Sequence, residues 1–168
     1  DWDYPLADRV HLTFDRTHDR IVVALDTRGG KRVAAWLTRR VLRRLLDAYT
    51  TRLRRTSAAV AHAPAAQRDE VLQMEHASAV AARRDEPAFS APDSVGGHEA
   101  LSGPPQFVVT RVHLGNRGRR FVVAFDGVED ATLEHGYGEP SAIGAVLLDR
   151  ARAHQFLEIL RAKGREAE

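Results

Sequence analysis

The chain has no cysteine among its 168 residues, which excludes disulfides, thiolate nucleophiles and cysteine-held zinc. Lysine is nearly absent: Lys31 and Lys163 are the two lysines, and the other 23 of the 25 basic residues are arginines. Aromatic residues make up 7% of the chain, few for a protein that would stack nucleic-acid bases on exposed rings. No stretch approaches the roughly 18 apolar residues that a membrane-spanning helix needs, so a soluble protein is expected. The cytoplasm is the expected compartment; a removed targeting segment is left open because the chain opens on Asp1.

The familiar catalytic patterns are missing too. No serine sits in a G-x-S-x-G elbow. Glu75-His76 and Glu134-His135 are adjacent pairs, and neither has the HExxH spacing that sets two imidazoles on one helix face. Gly96-Gly97 and Gly136-Tyr137-Gly138 lack the Lys-Ser/Thr of a phosphate loop and read as turn glycines. Carboxylates are plentiful, but no spacing pairs them for acid–base work. A non-enzyme without a cofactor is the expectation.

What is present is a repeat. Arg9-Val10-His11-Leu12 recurs as Arg111-Val112-His113-Leu114, and the run Arg20 to Asp26 recurs as Arg120 to Asp126. A third match sets Trp36-Leu37-Thr38-Arg39 against Leu147-Leu148-Asp149-Arg150. Three matched blocks in one order suggest a duplicated unit.

In the first unit, Val10, Leu12 and Phe14 alternate with polar residues, the period of a half-buried strand. Ile21 to Leu25 is apolar on both faces, as a covered central strand would be. Arg28-Gly29-Gly30-Lys31 predicts a hairpin turn, and a third strand from about Arg32 to Leu37 runs to a helix cap at Thr38. Val41, Leu42, Leu45, Leu46, Tyr49 and Leu53 then form one helical stripe. The second unit begins near Gln106. Its first turn is two residues shorter, and it carries an 11-residue insertion between Asp126 and the last strand. That insertion predicts one more strand at about Ala131 to His135. Asp149 caps a final helix with Ala153, Phe156, Leu157 and Leu160 inward, and a tail from Gly164 is expected to fray.

Between the units the composition changes. Residues 65–84 have high helix propensity but a poor apolar stripe, Pro64 interrupts or starts a helix, and residues 85–105 read as a linker. The expected architecture is α+β: units at 1–56 and 106–168, each of three to four antiparallel strands plus an amphipathic helix, packed about a pseudo-two-fold axis. Residues 57–105 add a helix and a loop between them. Two such units joined bury enough apolar area for one core, and a homodimer that continues the sheet through an edge strand extends the same logic.

The formal net charge of +2 is unevenly spread. Residues 1–56 carry 13 basic against 7 acidic residues, and residues 57–105 carry 3 against 7. The candidate contact residues for an anionic partner are Arg28, Lys31 and Arg32 on the hairpin with Arg39, Arg40, Arg43, Arg44, Arg54 and Arg55 on the helix. His11 and His113 hold equivalent positions and are the candidates for a paired metal site, although exposed strand histidines are the simpler reading.

A multi-stranded antiparallel sheet followed by one helix, repeated once with the halves packed together, is similar to the PUR-repeat and Whirly-like folds. That likeness is one of topology. It implies single-stranded nucleic-acid binding, here through the arginine-rich helix. The leading expectation is a non-catalytic protein-interaction or assembly module, a homo-oligomer or a subunit of a larger complex, with the nucleic-acid binder as its rival.

Overall fold

The computed structural model describes residues 3–83, 104–130 and 138–168. These form an α+β fold with a six-stranded mixed sheet and four α-helices. Strands β1 (Ala7–Asp15), β2 (Arg20–Thr27) and β3 (Arg32–Leu37) lead into α1 (Arg39–Thr56). Then come α2 (Ala58–His62), a 3-10 turn at Ala65–Gln67 and α3 (Arg68–Arg83). Strands β4 (Phe107–Arg117), β5 (Arg120–Glu129) and β6 (Ser141–Leu148) lead into α4 (Arg150–Glu166). The expected strand at 131–135 and most of the expected linker lie outside the described residues. Among those described, no helix is long and apolar enough to cross a membrane.

Spatial strand order follows chain order, and every neighbouring pair is antiparallel except β3 and β4. There Ala35 pairs with Phe107 and Trp36 with Val108 in parallel, a join that needs a long crossover. Residues 38–106 supply it. The sheet then curls until its two edges meet, Leu6 forming a bridge with Ala145 and the Ala145 N–H donating to Pro5 O at 2.9 Å. Gly144 makes that approach possible. A Cβ there would stand 2.8 Å from Leu25 Cδ1 and 3.2 Å from Pro5 O.

The two three-stranded halves keep one register. Arg9 lies opposite Asp26 and His11 opposite Ala24, as Arg111 lies opposite Asp126 and His113 opposite Ala124. A bulge precedes each arginine, between Ala7 and Arg9 and between Val109 and Arg111. Ile21 pairs with Leu37 and Phe121 with Leu148. The hairpin after β1 closes through residues 16–19 and that after β4 through Gly118 and Arg119, the two-residue difference the spacing predicts. Gly118 (φ 60°) and Gly30 (φ 79°) take the left-handed conformation their turns require.

Strand alternation gives the sheet two faces. Val10, Leu12, Ile21, Val23, Leu25, Phe121, Val123 and Phe125 join the core with Leu42, Leu45, Tyr49 and Leu53 of α1 and Phe156, Leu157 and Leu160 of α4. Each such side chain stabilises the fold by about 1.5–3 kcal/mol. The expected core residue Phe14 is half-buried against this cluster, and Phe107, Val112 and Leu114 line its rim in the same way. On the other face Val22, Ala24, Ala124 and Ala145 are buried, and no residue of a described helix packs in the clusters there. Trp36 packs on Val22 and Val108 there, with the Arg20 guanidinium 5.8 Å from its ring centroid. Tyr4 packs beside Val122, Ala124 and Ala145. Small strand residues and a few long side chains thus do what a helix layer does on the first face.

The helix ends follow their caps. Thr38 Oγ1 accepts from Val41 N at 3.3 Å, Ser57 Oγ from Val60 N at 3.1 Å, and Asp149 Oδ1 from Arg152 N at 2.8 Å. The Ala-rich segment is divided, with Pro64 leading the 3-10 turn between α2 and α3. One expectation needs correction. The chain does not leave the helix at Gly164; α4 runs on to Glu166, because Ala167 is buried in the core and holds the last turn down.

Tyr49 joins the layers. It is fully buried, its ring centroid lies 4.8 Å from that of Phe121, and its hydroxyl donates to Ala153 O at 2.7 Å. Burial pushes its hydroxyl pKa well up. Tyr49→Phe, which deletes only the hydrogen bond, is expected to lower the unfolding free energy in urea by about 1 kcal/mol. Tyr49→Ala is expected to lower it by about 3–5 kcal/mol through the cavity it leaves.

Candidate functional site

The nine basic candidates divide into a paired set and an unpaired one. Arg28 pairs with Asp8 at 2.9 Å, Arg39 with Asp19 at 2.6 Å, Arg54 with Asp69 at 2.7 Å, and Arg32 with Asp26. Lys31, Arg40, Arg43, Arg44 and Arg55 are exposed and form no ion pair among the described residues. The hairpin and the helix start do not converge, since the six residues of β3 separate them by roughly 20 Å. Arg40, Arg43 and Arg44 do converge, at i, i+3 and i+4 on the first two turns of α1.

The two candidate metal histidines stand apart. β1 and β4 are three strand spacings from one another in the sheet, and each histidine binds an aspartate of the next strand. His11 Nε2 lies 3.2 Å from Asp26 Oδ2, and His113 Nε2 lies 2.7 Å from Asp126 Oδ2. Each aspartate has a second partner of its own. Arg32 holds Asp26 and pulls its pKa below the usual range, while Tyr4 donates to Asp126 at 2.6 Å. Burial and that carboxylate raise the Tyr4 pKa to about 12. No serine or threonine hydroxyl meets either ring among the described residues, and no group of three or more His, Asp or Glu there is placed to hold a metal ion.

Among the described residues, the densest polar cluster lies elsewhere, where α3 packs on α4. Glu75 accepts from Ser57 Oγ at 2.7 Å, from Arg150 Nε and from His154 Nε2 at 3.1 Å. Arg150 also donates to Thr56 Oγ1 at 2.9 Å and to Leu53 O at 2.6 Å, so it covers the carbonyl end of α1. His154, 1% exposed, meets His76 through their Nδ1 atoms at 3.2 Å. His76 Nε2 lies 3.2 Å from Glu158 Oε2, and Arg165 closes the chain on Glu158 Oε1 at 3.3 Å.

Proton counting orders this chain. Burial pulls the His154 pKa down, against the opposing effect of Glu75, so His154 is neutral at neutral pH. Its one ring proton then sits on Nε2, aimed at Glu75, which leaves Nδ1 as an acceptor. That lone pair faces His76 Nδ1, and the other ring nitrogen of His76 faces Glu158. Burial alone would raise the Glu75 pKa; the hydrogen bonds from Arg150, Ser57 and His154 outweigh it and hold the carboxylate below its usual range. Glu158 stays low for the same reason, through His76 and Arg165.

Beside this cluster the three long helices line a half-open cavity of about 380 Å³. Leu53, Leu72 and Leu157 line it with His76, His154 and Arg161. The pattern was hidden in the sequence. Glu75-His76 is visible as a pair that fails the zinc spacing, and only the docking of α3 on α4, some 80 residues on, gives each member a use. His154 and Glu158 at i and i+4 on the last helix were the one local signal.

No family model, no curated protein and no solved structure matches the chain.

The sign of the pH effect follows from the buried histidine. A depressed pKa in the fold means that the unfolded chain takes up its proton first as pH falls below about 6.5. Stability from this group is therefore whole above that value and is lost on acidification. The difference in urea midpoint between wild type and His154→Gln is expected to shrink as pH falls from 7.5 to 5.5. A difference independent of pH would contradict a neutral buried His154.

Proposed function

We propose that the chain is a non-catalytic interaction module that docks an acidic surface of a protein partner on the α1 face of Arg40, Arg43 and Arg44. In this reading it is a duplicated β-β-β-α unit with pseudo-two-fold symmetry, acting in the cytoplasm as a subunit of a homo-oligomer or larger complex. The shared register, paired bulges and matching caps support the duplication. The meeting of the sheet edges at Leu6 and Ala145 weakens the case for a homodimer built by sheet extension at that end.

The observation that carries the proposal is a local conflict. Three like charges one turn apart repel one another by about 0.2–0.5 kcal/mol per pair. They also crowd the positive end of the helix dipole, with no acidic residue in the first turn. The side chains gain no ion pair in return among the described residues. Charges placed against their own helix are what a surface kept for an anionic partner would show. The nucleic-acid reading has one point in its favour, since a helix N-terminus with arginines suits phosphate. Against it, no aromatic ring is exposed among the described residues, so no stacking platform accompanies the charge.

Arg40→Glu is expected to raise the unfolding free energy by about 0.5–1 kcal/mol while weakening the interaction. Fluorescence anisotropy against a labelled oligo-glutamate peptide and a labelled oligo-dT, both at low salt, tests the reading. Peptide binding that falls with salt and drops at least about tenfold in the Arg40→Glu/Arg43→Glu/Arg44→Glu protein is the expected result. Binding of the oligonucleotide alone would transfer the assignment to nucleic acid. Binding of neither would end it.

A further inference from the structure

We infer that the cavity between α1, α3 and α4 is a binding site for a small organic monocarboxylate with an apolar body. This goes beyond the docking face proposed above and does not depend on it. Each helix contributes one stripe: Leu53 from α1, Leu72 and His76 from α3, and His154, Leu157 and Arg161 from α4. His154 and Leu157 are 1% and 2% exposed, so the α4 wall is fixed by the core behind it. Its volume of about 380 Å³ lies within the range of small-molecule sites, roughly 300–1,000 Å³.

The charges select the class of ligand. Asp69 is the one acidic side chain among the described residues of the wall, and Arg54 pairs with it at 2.7 Å. Arg161 has no carboxylate or hydrogen-bond partner among the described residues. The Gln73 amide, also in the wall, is likewise without one. His154 offers no lone pair to a ligand, because both its ring nitrogens are engaged by Glu75 and His76. The unspent groups are thus a guanidinium, whose fork matches a carboxylate, an amide donor, and three leucines. A neutral alkyl chain would leave Arg161 unmatched, and a dianion would find one open guanidinium for two charges.

The test is a titration of the full chain at pH 7, followed through the ring resonances of His76 and His154 and the backbone amides of α3. The probes are 4-phenylbutyrate and hexanoate, with hexanamide and hexylammonium as controls. Saturable shifts confined to the cavity are expected with the acids at millimolar concentration, and about tenfold weaker ones with the amide. Arg161→Met is expected to remove that preference with an unchanged thermal midpoint, and Arg161→Lys to keep most of it. Leu72→Trp, which fills the space, is expected to abolish binding by all probes. Absence of saturable shifts with either acid would overturn the inference, and so would equal binding of acid and amide.

Discussion

The helix layer depends on one carboxylate. Glu75 gathers the cap of α2 through Ser57, the first residue of α4 through Arg150, and the buried imidazole of His154. Arg150 passes the connection on to the last carbonyls of α1. A part-buried acid is costly without its partners, and losing one hydrogen bond to such a charged group typically costs about 1.5–3 kcal/mol. Around Glu75, α3 is held mainly by further polar ties: His76 meets His154 and Glu158, Asp69 pairs with Arg54, and Gln155 donates to Ala79 O. The apolar stripe of α3 is thin: Met74 is 71% exposed, Ala79 is buried and Leu72 packs part-buried against the core. The wall of the cavity is therefore set in place by hydrogen bonds more than by area.

The sheet obeys a different constraint. Its helix-covered face is an ordinary apolar core, whereas its other face is sealed by small residues and by side chains laid flat. Among the described residues, Trp36 under Arg20 and Tyr4 against Asp126 are two of its covers. Tyr4 comes from the segment that closes the sheet edges, so the closure and the cover are one event. That arrangement turns both His–Asp pairs into fasteners between neighbouring strands, His11 to Asp26 and His113 to Asp126.

Much of the fold was legible because it is local. Strand alternation at Val10 and Leu12, the caps at Thr38 and Asp149, and the two-residue difference between the hairpin turns are all short-range properties, and the structure follows each. The parallel join of β3 to β4 was not legible, because two short runs of apolar residues do not state which edge they seek. Nor was the bend that lets Leu6 reach Ala145. The candidate site was less legible still. A face of arginines looks uniform in sequence, and which of them are paired depends on Asp8, Asp19 and Asp69, residues brought near only by folding. His76 and His154 are distant in the chain and sit on helices whose mutual docking is polar, a kind of contact that leaves no periodic trace.

Glu75 secures α3, and with it the cavity wall, to the core beneath. Amide hydrogen exchange on wild type and Glu75→Ala measures this most directly. In the variant, α3 amides are expected to lose most of their protection while those of β2 and β5 keep theirs. Equal loss of protection in helix and sheet, or none in α3, would contradict it.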